Sequence, residues 1–129
     1  MDTREVLASY WAAMQDNDWD RAAAHLAEDA HTDWPCSGER VVGRADYAAI
    51  QATYPTTTHH YTFDIHRVVV EGDTGVSEVT VTDGQQTARV VAFSTVADGL
   101  ITHQVEYWPT SYEPPTDRAH LVERIEPIP

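Results

Sequence analysis

The sequence predicts an α+β domain, with helices first and then a four-strand antiparallel meander, the helices packed on one face of a curved sheet. Three observations carry that reading. Apolar residues recur at three- and four-residue spacing in the N-terminal part, and from His59 to Trp108 the spacing changes to period two. The alternating part is cut into four strands by Glu71-Gly72-Asp73, Asp83-Gly84 and Asp98-Gly99, each a turn signal.

The first helix spans residues 3 to 15, with Val6, Leu7, Tyr10, Trp11 and Met14 on one face and Asp2 or Thr3 able to cap its start. Asp16-Asn17-Asp18 breaks it, and Asp18 can cap a second helix from Trp19 to about Ala27. His31 to Trp34 reads as a short extended piece, ended by Pro35 and the Cys36-Ser37-Gly38 turn. Gly43-Arg44 opens a third helix from Ala45 to about Thr53. The strands follow at about 59–71, 75–83, 87–97 and 100–108. Residues 109–129 form a tail with five prolines and a short helical segment near Thr116 to Arg124. The expectation is one domain over residues 1–129, without repeat or linker.

Composition narrows the function classes. With 21 acids against 8 Lys plus Arg, the net charge is −13, so the basic footprint of a nucleic-acid binder is missing. The same deficit argues against an anionic membrane surface. No apolar run approaches the ~18 residues of a membrane span, and the N-terminus lacks a signal peptide's basic-then-apolar plan. Cys36 is single, which excludes an intramolecular disulfide and suggests a reducing, cytoplasmic setting. No Gly-rich phosphate loop occurs, so no cofactor is expected. His59-His60 and His66 match no specific zinc spacing, and no metal is expected.

The Asp98-Gly99 hairpin sets a register. Pairing Ala97 with Leu100 puts Thr95 opposite Thr102, Phe93 opposite Gln104, Val91 opposite Glu106 and Arg89 opposite Trp108. One face then mixes aromatics, an acid, an amide and a base, as the wall of a pocket would. Extending the register through Asp83-Gly84, with Thr82 opposite Thr87, adds Glu78 to that face beside Val91, with Arg89 diagonal to both acids. The other face, with Val79, Val81, Val90, Ala92, Val105 and Tyr107, is too apolar to leave in water. A twofold partner is expected to cover it, making a homodimer through an outer sheet face.

Four segments, SYWAAMQDNDWDRAAAHLAEDA, VVGRADYAAI, RVVVEGD and ADGLITHQVEYW, resemble in order and spacing the SnoaL-like group of the nuclear transport factor 2-like superfamily. The resemblance implies a cystatin-like cone: a strongly curved, mainly antiparallel sheet enclosing a pocket that helices close. Ketosteroid isomerases of this superfamily hold an oxyanion with a tyrosine that falls on Tyr10 here. Their second donor, a protonated aspartic acid, falls on Val91, and their base falls on Trp34 with Asp33 adjacent. Limonene epoxide hydrolases are similar in their last-strand acid, which falls on Glu106. Their arginine and second acid fall near Thr80 and Thr82, which supply no charge, and their water-positioning groups fall on His31 and Asp33.

The resulting expectation is a small cofactor-independent cyclase, isomerase, dehydratase or hydrolase acting on a hydrophobic ring-containing metabolite. Glu106 is the acid/base carboxylate, Tyr10 the oxyanion donor, and His31 with Asp33 a second acid/base or water-orienting pair. Trp11, Trp34, Val91, Phe93, Gln104 and Trp108 line the substrate site, with Glu78 and Arg89 at its mouth. The competing expectation is a non-catalytic ligand-binding or dimerisation module, in which Glu78, Arg89 and Glu106 form a satisfied ion network.

Overall fold

In a computed structural model, which describes residues 1–56 and 58–129, the helical face of the first segment is buried as its spacing requires. Helix α1 (Thr3–Gln15) hides Val6, Leu7, Tyr10, Trp11 and Met14. Its start is a capping box: the Asp2 carboxylate accepts from the Glu5 N–H at 2.9 Å, and the Asp2 N–H donates to Glu5 Oε1 at 3.3 Å. Asp2→Ala should therefore lower the unfolding free energy by about 0.5–2 kcal/mol in urea titration.

Helix α2 (Trp19–Ala23), capped by Asp18, ends earlier than its alanines suggest. The chain turns at once into strand β1 (Leu26–Trp34), which extends the predicted His31–Trp34 piece backwards. A short strand β2 (Glu39–Val42) follows, then helix α3 (Arg44–Thr53). Strands β3 (Thr62–Glu71), β4 (Thr74–Thr82), β5 (Thr87–Ala97) and β6 (Leu100–Tyr107) form the meander. After β6 the chain is irregular apart from a single 3₁₀ segment at Thr116–Leu121.

The sheet has six strands in the order β2-β1-β6-β5-β4-β3 and is not closed. It is mixed, because β1 lies parallel to β6 while every other neighbouring pair is antiparallel. Helices α1 and α3 cover one face, called inner below. Leu7 of α1 presses on Gly75 of β4, and Trp11 donates to Ser77 Oγ at 2.9 Å.

The β4–β5 register matches the expected one, with Thr82 opposite Thr87, Thr80 opposite Arg89 and Glu78 opposite Val91. The β5–β6 register starts as expected, Ala97 facing Leu100 across Asp98 (φ 53°) and Gly99 (φ 76°). It then slips. A bulge between Thr95 and Val96 sets Thr95 opposite His103, Phe93 opposite Val105 and Ala92 opposite Glu106. The extra residue inverts which side chains of β6 share a face with those of β5.

This corrects the face assignment. Val79, Val81, Val90 and Ala92 are core residues beneath the helices, so they form no outer surface for a partner. Val105 and Tyr107 lie on the opposite, outer face with Val91 and Phe93. Glu106 lies on the inner one with Ala92.

Candidate functional site

On the inner face, β6 alternation brings Gln104 and Glu106 under the helices, and the parallel pairing of Thr32 with Gln104 brings Thr32 and Trp34 beside them. Tyr10 projects from α1 and Tyr47 from α3, and their hydroxyls hydrogen-bond to each other. Gln104 is the hub: its amide lies beside both phenols, accepts from Ser94 Oγ at 3.4 Å and donates to Thr32 Oγ1 at 3.4 Å. The Trp34 indole N–H donates to Glu106 Oε1 at 2.9 Å. Glu106 is only 3% exposed, and Tyr10, Tyr47, Gln104 and Thr32 are at or below 1%.

Burial in this setting acts on the protons. Desolvation pushes the Glu106 carboxyl above its ordinary value, and the Trp34 hydrogen bond partly opposes that rise. Desolvation also pushes both phenols up, with negative charge on Glu106 adding to the effect. Tyr10 and Tyr47 therefore stay protonated, one hydroxyl donating to the other. The arrangement offers one protonatable carboxyl and two fixed hydroxyls in a region of low dielectric, the combination that proton transfer next to an oxygen requires. Trp34→Phe should raise the Glu106 carboxyl further, read by carbon-detected NMR titration. An unchanged titration would show that the indole bond does not tune it.

Of the residues expected at the site, Tyr10, Trp11, Trp34, Gln104 and Glu106 lie on the helix-covered side, and Trp108 packs partly buried against the core just past β6. The others do not join them. Val91 and Phe93 lie on the outer face, as do Glu78 and Arg89. Arg89 Nη1 meets Glu78 Oε2 at 3.0 Å, and Arg67 Nε meets Glu78 Oε1 at 2.9 Å. This ion network is real, but Glu106 has no part in it, because the bulge turns Glu106 away.

His31 and Asp33 are on the outer side too, since β1 alternation sends Thr32 and Trp34 inward. Arg40 grips Asp33 in two bonds of 2.7 and 3.0 Å, and His103 Nε2 lies 3.0 Å from the same carboxylate. These bonds, Arg40's first, hold the Asp33 carboxyl far below the usual carboxylate range. A permanently ionised group serves badly as a proton carrier, so His31 and Asp33 are not the acid/base pair of the Glu106 site. The outer position of Val91 also explains why counting from the hairpin found no acid. The inner positions flanking it, Val90 and Ala92, carry none either.

Tyr47 and Thr32 were missed in sequence. The available signal for Tyr47 was its lone aromatic ring in VVGRADYAAI, on a helix whose only buried residue it is. The inward-facing residues of the expected pocket wall, Tyr10, Trp11, Gln104 and Glu106, are buried. Surface cavities of about 500 and 360 Å³ lie elsewhere, at the start of α1 with the hairpin turns and between α2 and α3.

Comparison with known proteins places this geometry in a family. Residues 7–104 match the SnoaL-like domain, and the chain belongs to that family, within the nuclear transport factor 2-like superfamily. Among solved structures, a proposed ketosteroid isomerase from Kribbella flavida is 35% identical, with a TM-score of 0.88 over 96% of this chain and 90% of that one. A nuclear transport factor 2-like protein of unknown function from Burkholderia xenovorans is 27% identical, with a TM-score of 0.78 over 96% and 95%. An LEH-like epoxide hydrolase from M. tuberculosis, at 22% identity, shares the fold with a TM-score of 0.66 over 81% and 80%. No curated protein matches the chain. Among the described residues, no helix is long and apolar enough to cross a membrane.

Proposed function

We propose that the protein is a small cofactor-independent enzyme of the SnoaL-like type, a cyclase, isomerase, dehydratase or hydrolase that transfers protons through Glu106. The observation that carries this is a buried carboxyl raised by desolvation, held by one indole N–H, in a cluster with two neutral phenols. Glu106 takes or gives the proton. Tyr10, steadied by Tyr47 and Gln104, donates to the substrate oxygen on which negative charge develops. Trp11 and Trp34 supply flat apolar surface, which fits a hydrophobic ring-containing metabolite. Small-molecule binding is consistent with relatives in this fold: one from Catenulispora acidiphila was crystallised with trimethylamine and another, TerC, with polyporic acid. The single Cys36 is in keeping with a cytoplasmic setting.

The test is turnover of a panel of cyclic ketones, epoxides and polyketide-derived quinones, followed by mass-resolved chromatography. Conversion by the wild type that falls about 10²–10³-fold in Tyr10→Phe supports the assignment. Conversion that Glu106→Gln leaves intact would remove Glu106 from the chemistry.

A second reading, a non-catalytic ligand-binding module, is favoured by one observation. Among the described residues every buried side-chain polar atom already has a hydrogen-bond partner, so the cluster is also a stable core network. Tight ligands recovered unchanged from the panel would select it.

Pairing of two copies belongs to the same proposal. The outer sheet face exposes Phe93 at 43% and Tyr107 at 42%, in edge contact at 6.1 Å, with Val69 at 59%. Such a patch on a sheet suits an isologous interface, and the homodimer is assigned to this face.

A further inference from the structure

The last 21 residues, Pro109–Pro129, are exposed along their length except at Pro114 and Ile128, which are half-buried. Tyr112 is 77% exposed, Leu121 76%, Val122 49% and Ile125 84%, more apolar surface than a segment meant for water would carry. Its five prolines restrict the backbone and so reduce the entropy lost when the segment docks.

The segment is not an idiosyncrasy of this chain. The alignments with the Kribbella and Burkholderia structures each cover 96% of it. Only 4% of 129 residues, about five, fall outside, so both alignments reach well into the tail. The epoxide hydrolase covers 81%, which lies near the share left when the tail is removed.

Charge says where it goes. All eight cationic side chains are arginines, and six of them precede Pro109. Arg40, Arg67 and Arg89 of these lie on the outer sheet face. Glu78 is shared between Arg67 and Arg89, and Arg67 stays 74% exposed. Asp64 leans instead toward His66, 4.0 Å away. Arg40 is held by Asp33, so the face sets three arginines against Asp33, Asp64 and Glu78. On a chain of net charge −13 that near-balance is comparatively basic, around an apolar centre at Phe93 and Tyr107. The tail carries four acids, Glu113, Asp117, Glu123 and Glu126, against Arg118 and Arg124. It therefore offers what the face lacks: aliphatic side chains and an excess of carboxylates.

We propose that Pro109–Pro129 is an exchanged arm that lies across the outer sheet face of a second copy of the chain and completes the homodimer. The inference rests on the outer-face pairing given above. Reach is ample: 21 residues extended span about 70 Å, against about 25 Å across six strands. Because each arm leaves β6 beside Tyr107, two arms can cross reciprocally about one dyad.

The test uses full-length chains and sedimentation velocity across about 0.1–100 μM. The wild type is expected to be dimeric. Leu121→Asp with Ile125→Asp should raise the dimer dissociation constant at least tenfold, without moving the far-ultraviolet circular dichroism, because both side chains are exposed. A photo-cross-linking residue at position 125, in a mixture of ¹⁴N- and ¹⁵N-labelled chains, should join mixed-isotope peptides from the arm and from β3 to β6. A dimer weakened by Phe93→Asp but indifferent to the arm variant overturns the arm and leaves the pairing. Cross-links confined to single chains do the same. A wild type that stays monomeric throughout overturns both, and none of these outcomes bears on Glu106 chemistry.

Discussion

Glu106→Gln should abolish turnover and yet make the protein more stable above the acid range. The glutamine keeps an oxygen for the Trp34 N–H and fills nearly the same space. It cannot carry the proton, and loss of a general acid/base costs about 10²–10⁴ in rate. Stability moves the other way. Folding raises the Glu106 carboxyl, so the folded state favours its protonated form. The favourable share is complete below the unfolded value and disappears as pH climbs through the raised folded value. Above that raised value the wild type therefore holds a desolvated charge that the variant lacks. Melting temperatures measured from about pH 4 to pH 8 should coincide at the acid end and diverge upward in favour of Glu106→Gln. A difference independent of pH would mean that the carboxyl is not destabilised by burial.

The second large effect is expected where α1 meets the sheet. A Cβ on Gly75 would lie 2.2 Å from Leu7 Cδ1, and Leu7 is completely buried. Gly75→Val should cost about 1–3 kcal/mol through overpacking. Leu7→Ala alone should cost about 2–5 kcal/mol by leaving a cavity. The two sites share one volume, so their effects should not add: Gly75→Val in the Leu7→Ala background should be nearly neutral or restorative. Urea titration of the four proteins measures the coupling, and simple additivity would show that Leu7 moves aside freely.

The fold was legible because most of its elements follow local rules. Asp2 caps α1, the apolar residues of α1 keep helical spacing, and Asp98-Gly99 turns the last hairpin as its dihedral angles demand. Strand β2 was missed because Glu39–Val42 is four residues long and buries only Val41. The start of β1, Leu26-Ala27, reads as the end of a helix because Leu26-Ala27-Glu28-Asp29-Ala30 has helical composition and no two-residue alternation. Nothing local sets it parallel to β6. That pairing is a tertiary choice, and it delivers Trp34 to Glu106.

The candidate site was legible in its types and not in its partners. Glu106, Trp34 and Gln104 were singled out from kind and spacing and Tyr10 from the resemblance, but Arg89 and Glu78 were placed with them by a register that ran one residue too far. A threonine at a bulge has no sequence signature, unlike the glycine of a tight turn. Tyr47 was overlooked for a different reason: its importance lies in a contact with a residue 37 positions away.

The bulge by Thr102 decides which of two registers the last strand adopts. With one residue of β6 left over, Glu106 lies opposite Ala92 and faces inward; paired one-to-one at full length, it would lie opposite Val91 and face out, with Val105 and Tyr107 turned inward. Closing the bulge would therefore exchange a carboxyl for a phenol in the interior with no substitution at all. Deleting Thr102, by contrast, would restore regular pairing and keep Glu106 opposite Ala92. Relatives one residue shorter in this hairpin should therefore hold the same carboxyl inside without a bulge.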